Sequence, residues 1–385
     1  MRILLVNYEC PPLGGGGGVA CYEIAKELAK KHHVDYLTTG YKGLPQKEQK
    51  DGIMIFRVPV IGRNDLSTAT LLSLISFFPS CFVQGILLCS KNNYDIINAH
   101  FVIPSGLPAV FLAKLFKKTL IISVHGGDIY DPSKKLSPHR YTPLRILIAW
   151  LLRQADFVVA QSSNTKENTI QFYKYQGTIE IIPLGFTQPE FQQVDRKYLN
   201  LPENEIIFVS VGRLVKRKGY EYAIHALGSL DLDKYTFKYL IIGDGPEERF
   251  LKSLARELNI EENVVFLGYV QEELKYQYLS QSDVYLLPSL HEGFGICLLE
   301  AMYCGLPIVA TNNGGQTDFL IEGRNALLVP IKDWQILAEK IDEICSDELK
   351  MKRMSVNNKK DIKRYLVQNI ATHYEEIFSK RSRVL

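Results

Sequence analysis

Short, continuous apolar segments recur along the chain, and most are followed by a loop and an amphipathic segment with helical spacing. The first is Arg2–Asn7, and the same rhythm restarts at Ile206–Val211 after a polar stretch over Thr187–Lys197. Strands that are apolar on both faces are typical of parallel sheets covered by helices on both sides. The pattern therefore predicts two α/β units in tandem.

The apolar segments predict these strands in the first unit: Arg2–Asn7, Val34–Thr39, Ile53–Val58, Tyr94–Asn98, Leu120–Val124, Asp156–Ala160 and Ile179–Pro183. In the second unit they predict Ile206–Val211, Phe237–Ile242, Val264–Leu267, Val284–Leu287, Pro307–Ala310 and Ala326–Val329. Among the predicted helices are Val19–Lys31, Tyr220–Leu230 and a terminal Lys360–Phe378, which no strand follows.

A glycine-rich turn in the second unit lies between two glutamates, Glu292 and Glu300. The turn opens a helix, and a helix N-terminus attracts phosphate through its N–H groups and its dipole. We expect Phe294, Gly295 and Ile296 to hold a diphosphate. Glu300 lies roughly 6 Å further along the helix axis, which is ribose distance. Glu292 would face the group at the other end, since a carboxylate can accept hydrogen bonds from neighbouring sugar hydroxyls.

The segment Pro288–Ala301 reads P-S-x-x-E-G-F-G-x-x-x-x-E-A and resembles the signature of the group 1 retaining glycosyltransferases of family 4. The resemblance implies a GT-B fold, with two tandem Rossmann-like parallel-sheet domains facing a cleft. Residues 1–190 would form the acceptor side and 191–364 would bind the nucleotide sugar, while a helix within 365–385 crosses back onto the first domain. The likeness is weakest over 40–120, which normally contacts the acceptor, so the acceptor stays open.

Two motifs of the first unit add to the resemblance. His125-Gly126-Gly127-Asp128 is similar to the family's H-G-x-D, which implies that His125 positions the donor sugar and Asp128 orients the site. Gly17-Gly18-Val19 resembles a loop whose backbone approaches the donor phosphate and the acceptor. His100, at a predicted strand end, is a weaker candidate for acceptor contact.

The second unit carries two further motifs of the family. Gly212–Gly219 resembles G-R-L-x-x-x-K-G, which implies that Arg213 and Lys218 neutralise the departing diphosphate. The segment that ends at Val270 occupies the place where family members read the base.

The implied reaction moves a hexosyl unit from a UDP- or GDP-sugar to a hydroxyl of a glycan or lipid-linked saccharide, as in cell-envelope or polysaccharide synthesis. Cations and a helix N-terminus would stabilise the leaving diphosphate. Two alternatives stay open. A nucleotide-sugar epimerase of the same architecture would epimerise free donor without an acceptor. A non-catalytic sugar-nucleotide-binding module would leave the donor intact.

Composition excludes some chemistry. The seven cysteines of the 385 residues are scattered without a C-x-x-C pair, which indicates reduced thiols in the cytoplasm and argues against a zinc site. A D-x-D sequence over 231–233 lies between a predicted helix and a strand, at the amino edge of the sheet. We therefore expect neither a metal nor another cofactor. Met1–Tyr8 follows a strand pattern and not that of a signal peptide.

Charge suggests where the protein works. Residues 1–190 contain 20 Lys and Arg against 14 Asp and Glu, whereas the remainder is net acidic. No aromatic-basic pattern accompanies this charge, so nucleic acid is not expected, but an anionic membrane is compatible. Leu66–Ser90 carries no charge. Its Pro79 and a polar stripe predict two short amphipathic helices that either pack on the sheet or meet a membrane or lipid-linked acceptor. The stripe consists of Ser67, Thr70, Ser73, Ser76, Ser80 and Gln84.

Overall fold

The computed structural model describes residues 1–66, 68–134, 136–231 and 234–380, which form two compact units. Unit 1 comprises Met1–Thr187 and the segment from Tyr365 onward, and unit 2 comprises Gln188–Arg364. Each unit is a mainly parallel sheet with helices on its faces, so the two predicted α/β units are confirmed.

The sheet of unit 1 contains one strand that the apolar pattern missed, namely Lys47–Lys50. This segment is polar, and it lies at the edge of the sheet, where it pairs antiparallel to its neighbour. The strands are β1 (Arg2–Asn7), β2 (His33–Thr39), β3 (Lys47–Lys50), β4 (Ile53–Val58), β5 (Ile96–His100), β6 (Thr119–Val124), β7 (Phe157–Ala160) and β8 (Ile179–Ile181). Their order is β3-β4-β2-β1-β5-β6-β7-β8, and the other neighbours are parallel.

The alternation of side chains along β1 explains why this strand is apolar on both faces. Leu4 and Val6 belong to a buried cluster on one face, and Ile3 and Leu5 belong to a second cluster on the other. The helices of this part are α1 (Gly16–Ala29), α2 (Leu71–Lys91), α3 (Leu107–Phe116), α4 (Thr142–Gln154) and α5 (Ser163–Tyr173). Helix α1 covers the Ile3 face, whereas α2, α3 and α4 cover the Leu4 face.

Unit 2 repeats this architecture with parallel strands throughout its described residues. The strands are β9 (Ile206–Val211), β10 (Phe237–Ile242), β11 (Val264–Gly268), β12 (Val284–Leu287), β13 (Ile308–Thr311) and β14 (Ala326–Val329), in the order β11-β10-β9-β12-β13-β14. The helices are α6 (Tyr220–Gly228), α7 (Glu248–Glu257), α8 (Glu272–Ser280), α9 (Ile296–Cys304), α10 (Trp334–Cys345) and α11 (Glu348–Asp361).

Each sheet has a topological switch point, where the strand order reverses and the chain continues on the other side of the sheet. In unit 2 the order reverses between β9 and β12, and in unit 1 it reverses between β1 and β5. Ligands of open α/β sheets bind at such points, beyond the carboxyl ends of the strands. The loops after β9 and β12 carry the Gly212–Gly219 and Glu292 motifs, while β5 ends at His100.

The predicted terminal helix Lys360–Phe378 is wrong as a continuous element. Helix α11 ends at Asp361, a tight turn covers Ile362–Tyr365, and α12 (Val367–Lys380) follows. Ile370, Tyr374 and Phe378 are four residues apart and pack into the buried cluster on the Ile3 face of unit 1. The predicted return of the chain to the first domain is therefore confirmed.

The prediction of two short helices over Leu66–Ser90 is also wrong, because α2 is one helix with Pro79 inside it. Proline removes one N–H, whose usual acceptor is the carbonyl four residues earlier, here that of Ile75. Both residues are exposed, so solvent can replace the missing donor. Thr70 caps the helix, and its hydroxyl and that of Ser73 form a reciprocal capping box.

Candidate active site

A buried group of charges lies at the switch point of unit 2. Glu292 is 5% exposed, and its Oε1 lies 2.9 Å from Lys218 Nζ and its Oε2 3.0 Å from Arg217 Nη1. The hydroxyl of Ser289 donates a hydrogen bond of 2.8 Å to Oε1. Burial alone would raise the pKa of Glu292, but the two cations hold it well below its ordinary value. The carboxylate is therefore ionised and tied to both strand-end loops.

This arrangement links residues to which the sequence assigned separate roles. Lys218 and Glu292 form one ion pair, and burial, which would lower the pKa of Lys218, is overcome by neighbouring acidic groups that include Glu292. Arg217 was not assigned to the site from the sequence, although it belongs to the run of cations that contains Lys218. Arg213 is exposed on the same loop, and the ion pairs of the described residues do not include it.

Helix α9 begins at the glycine-rich turn, as predicted. Gly295 precedes its first turn with a φ of 101°, a conformation that a side chain disfavours, and a Cβ there would lie 2.9 Å from Leu298 Cδ1. The helix start has no side-chain cap and no acidic residue in its first turn, which begins at Ile296. Phe294 is buried beside Phe319, with ring centroids 5.1 Å apart. The positive end of the helix dipole is thus left for another anion.

Glu300 has a partner that the sequence did not reveal. Lys275 on α8 places its Nζ 2.7 Å from Glu300 Oε1. Burial would lower the pKa of Lys275, but the Glu300 carboxylate overcomes it and the pKa is raised. The ion pair fixes one carboxylate oxygen, and the hydrogen bonds and ion pairs found among the described residues do not include the other. Val270 is half-buried just beyond β11, at the carboxyl edge of the sheet.

In unit 1, Asp128 organises the loop that carries His125. Its carboxylate accepts the backbone N–H of His125 at 3.0 Å and that of Val102 at 2.6 Å. Burial raises the pKa of Asp128 to about 6, although these two hydrogen bonds oppose the shift. Asp128 therefore holds the backbone of His125 and not its ring, while the side chain of Gln161 donates to the His125 carbonyl.

A chain of buried hydrogen bonds determines which ring nitrogen of His125 carries the proton. Tyr374 donates to Ser123 Oγ at 3.2 Å, Ser123 donates to Asn98 Oδ1 at 3.1 Å, and Asn98 Nδ2 lies 3.3 Å from His100 Nε2. Burial lowers the pKa of both imidazoles, that of His125 to about 3, so each ring is neutral and carries one proton. Because the Asn98 amide donates to His100 Nε2, the His100 proton is on Nδ1, which lies 3.1 Å from His125 Nε2.

It follows that His125 carries its own proton on Nδ1. This atom is buried and has no hydrogen-bond partner within the described part of the chain. An unpaired buried donor is costly, and a ligand oxygen would satisfy it. Because burial keeps the ring neutral, His125 offers a hydrogen-bond donor at Nδ1.

Two neighbours of His125 were not assigned to this site from the sequence. Cys21 Sγ on α1 lies 3.3 Å from His100 Nδ1 and 3.6 Å from His125 Nε2. Phe101 stacks on the His125 ring, with centroids 4.3 Å apart, and a Cβ on Gly17 would lie 3.1 Å from Phe101 Cζ. The position of His100 at the end of a predicted strand marked it as a candidate site residue. Nothing in the sequence distinguished Cys21 from the cysteines of the core.

The glycine run departs from its predicted form. Gly17 and Gly18 lie in the first turn of α1 and not in a loop. The Glu9 carboxylate accepts the N–H of Gly15 at 3.1 Å, and a Cβ on Gly18 would lie 2.7 Å from Glu9 Cβ. The glycines therefore let Glu9, whose pKa burial raises, close over the helix start. A phosphate that approached here would have to displace this carboxylate.

The structure adds nothing to the D-x-D sequence, because residues 232 and 233 lie outside its described ranges.

The architecture matches solved structures over nearly the whole length of the chain. A sucrose-phosphate synthase from Thermosynechococcus elongatus superposes with a TM-score of 0.85 and 23% identity, covering 100% of both chains. HepE from Anabaena, solved in complex with UDP, gives a TM-score of 0.77 and 21% identity over 99% of this chain and 100% of the other. The fold is GT-B, as the resemblance implied.

Family models match both units. A model described as Glycosyltransferase Family 4 matches residues 14–187, and one described as Glycosyl transferases group 1 matches residues 191–361. The chain belongs to the group 1 glycosyltransferases of family 4.

Two relatives with similar sequences carry glycosyltransferase names. An N-acetyl-alpha-D-glucosaminyl L-malate synthase of Bacillus anthracis is 27% identical over 396 residues, which are 97% of this chain and 96% of the relative. A putative colanic acid biosynthesis glycosyltransferase of Salmonella typhimurium is 30% identical over 257 residues, 65% of this chain and 61% of the relative.

The buried Glu292 should make the stability of unit 2 depend on pH. Its pKa is depressed in the folded state, so its ion pairs stabilise the unit above the ordinary pKa of about 4.3 and this stabilisation is lost as the pH falls below that value. We expect the difference in free energy of unfolding between wild type and Glu292→Gln to shrink by about 1.4 kcal/mol for each pH unit below about 4. Urea denaturation between pH 7 and pH 3 measures it.

Trp334 fluorescence in a Trp150→Phe background reports on unit 2, because the two tryptophans of the chain lie in different units. Glu262→Gln, at an exposed position of the same unit, is the control and should show no such trend. A wild-type advantage that stays constant from pH 5 to pH 3 would contradict the assigned ion pairs.

Proposed function

We propose that the protein transfers a hexosyl unit, with retention, from a UDP- or GDP-sugar to a hydroxyl of a glycan or lipid-linked acceptor. The observation that carries the proposal is the cluster of Lys218, Arg217 and Glu292 beside the uncapped start of α9. Cations and an open helix N-terminus at a switch point are what a diphosphate requires. Because HepE was solved in complex with UDP, we favour a UDP-sugar over a GDP-sugar as the donor.

The roles of the residues follow from their charges. Lys218 and the start of α9 stabilise the negative charge that develops on the departing diphosphate. Lys275 aligns Glu300, whose second oxygen accepts from the ribose hydroxyls. Glu292 accepts hydroxyls of the donor sugar, while Arg217 and Lys218 keep it ionised. The Nδ1 proton of His125 is donated to a sugar oxygen, and the leaving phosphate takes the proton of the acceptor.

The two glutamates should separate nucleotide binding from sugar transfer. Glu300→Gln should weaken UDP or GDP binding roughly 10-fold or more, because a hydrogen bond to a charged group contributes about 1.5–3 kcal/mol. Glu292→Gln keeps the size of the side chain and removes a negative charge beside the diphosphate site. It should therefore preserve binding of the bare nucleotide and reduce transfer from the nucleotide sugar.

Calorimetry with UDP and GDP on both variants, with Glu262→Gln as the control, measures the first effect, and product formation measures the second. If Glu292→Gln loses the bare nucleotide as severely as Glu300→Gln, the two ends of the site have been assigned the wrong way round.

Turnover should not require a divalent metal, since Lys218 and Arg217 supply positive charge where other enzymes use Mg²⁺. We expect rates in a chelator to equal those in added Mg²⁺ or Mn²⁺. Activity that disappears in the chelator and returns with either ion would refute this proposal.

The acceptor side of the proposal is based on an unusual orientation of α2. Two serines of its first half face inward: Ser73 is buried against Tyr8, with hydroxyls 2.7 Å apart, and Ser76 accepts the N–H of Ile61 at 2.9 Å. An exposed apolar stripe is left on the other side, formed by Leu72, Ile75, Pro79, Val83 and Leu87. Ser67 lies outside the described residues. By length and composition alone, α2 is also apolar enough to span a membrane.

Cations and further apolar groups surround this stripe. Phe111 and Leu115 of α3 are exposed, and Lys114 and Lys117 are exposed beside them. A groove of about 810 Å³ between β4 and α2 is lined by Val83 and Leu87 and by basic side chains that include Lys91. Apolar area together with cationic charge is how interfacial proteins bind anionic lipid. We therefore propose peripheral contact with the cytoplasmic face of an anionic membrane, where a lipid-linked acceptor resides.

Flotation with phosphatidylglycerol vesicles tests this contact. Wild type should float at low salt and be released at high salt, and Ile75→Ser with Val83→Ser should abolish flotation. Leu349→Ser, which removes an equally exposed apolar side chain from unit 2, is the matched control and should float. Wild-type protein that stays unbound at low salt would show that the acceptor is not membrane-bound and favour a soluble one.

A further inference from the structure

Three potential metal-ligand atoms converge in the buried interior of unit 1. Cys21 Sγ, His100 Nδ1 and His125 Nε2 all lie within 4.8 Å of one another, and all three residues are buried. Among the described residues, this is the one group of three or more His, Cys, Asp or Glu side chains with such convergence. The residues are far apart in sequence, on α1, at the end of β5 and just after β6, so no cysteine spacing reveals the cluster.

The three separations match one face of a tetrahedral metal site. Zinc binds sulfur at about 2.3 Å and imidazole nitrogen at about 2.0–2.1 Å, which gives edges of about 3.3 Å between two nitrogens and about 3.6 Å between nitrogen and sulfur. The observed edges are 3.1 Å between the nitrogens and 3.3 and 3.6 Å from sulfur. An ion of this size fits with shifts of a few tenths of an ångström.

The three ligand atoms also determine which metal ions the site would prefer. A thiolate and two neutral imidazoles suit Zn²⁺ and Co²⁺, whereas Mg²⁺ and Ca²⁺ require oxygen ligands that this set lacks. Three protein ligands leave the fourth position of a tetrahedron for water or a substrate atom. The site is therefore distinct in chemistry from a diphosphate-bound Mg²⁺, and its presence is compatible with turnover that needs no metal.

We propose that Cys21, His100 and His125 form a binding site for a zinc-class transition-metal ion, and that occupation of this site inhibits the enzyme. Binding forms one metal–sulfur and two metal–nitrogen bonds and releases the thiol proton of Cys21 to solvent. The His100 proton moves from Nδ1 to Nε2, where the Asn98 amide can rotate to accept it. The hydrogen bond between the two histidines is lost, and His125 keeps its proton on Nδ1.

Inhibition follows because the ion constrains His125. The imidazole would be fixed by a bond from Nε2 to the metal, so Nδ1, which points away from the metal, could no longer adjust its direction toward the sugar oxygen to which it donates. This second part of the inference depends on the proposed role of His125, whereas the binding of metal does not.

Cobalt spectroscopy on the full-length protein tests the binding site. A Co²⁺ titration of wild type should produce a thiolate-to-cobalt charge-transfer absorption that saturates at one equivalent, and Zn²⁺ should displace it. Cys21→Ala should lose this band and weaken Zn²⁺ binding by at least about tenfold. Cys21→Ser, close in size to the wild type, gives the same test if the alanine variant fails to fold.

Cys81→Ala is the matched control, because Cys81 is equally buried in the same unit and is not part of the cluster. It should retain the band, and Mg²⁺ should not compete. A wild-type titration without a thiolate band, or a band that persists in Cys21→Ala, would overturn the site.

Turnover measurements test the inhibition. Zn²⁺ should reduce the rate of the wild type and of Cys81→Ala, and Cys21→Ala should be resistant at the same concentrations. A wild type that binds Co²⁺ through Cys21 but is not slowed by Zn²⁺ would overturn the inhibitory role alone. Absence of transfer from any nucleotide sugar in metal-free buffer would refute the proposed function, and the cobalt spectrum would still decide the site.

Discussion

The buried ion pair between Lys218 and Glu292 is the constraint on which unit 2 depends. Two opposite charges are held out of water, and removing Glu292 would leave the buried Lys218 without its ion-pair partner at a cost of several kcal/mol. The pair joins the loop after β9 to the loop after β12, which are the two loops at the switch point. Arg217 adds a second cation, so the cluster has a net positive charge where an anion is expected. Pairing thus keeps the cations ordered without neutralising the site.

The buried polar groups around His125 in unit 1 are neutral, in contrast to the charged cluster of unit 2. Within the described part of the chain, the rings of His125 and His100 are buried without an ion pair, and burial keeps both neutral. Their proton positions are determined by an amide and a hydroxyl further back, at Asn98 and Ser123. Such a chain orients a single donor and adds no charge. The two units therefore carry different chemistry, with a cluster of charges in one and a directed hydrogen bond in the other.

The sequence predicted most strands because burial on both faces imposes apolar runs, as in β1, β9 and β12. It missed β3, since an edge strand needs only main-chain pairing. It located Glu292, Glu300, Lys218 and His125 through local motifs. It did not find Lys275 as the partner of Glu300 or Cys21 as the neighbour of His125, because these contacts join segments that only the tertiary fold brings together. The glycine run suggested a loop, and only Glu9 at the helix start explains its helical form.

The hydrogen-bond chain that ends at His125 begins on α12, which follows the whole of unit 2 in the sequence. The ribosome therefore synthesises both histidines early but completes their environment late. Until Tyr374 and Phe378 emerge, the Ile3 face of the first sheet lacks part of its cover, while unit 2 can already fold from a continuous segment. Unit 2 would therefore fold before the first sheet is sealed, and a polypeptide truncated before α12 would lack both part of the cover of the Ile3 face and the Tyr374 hydroxyl behind the two histidines.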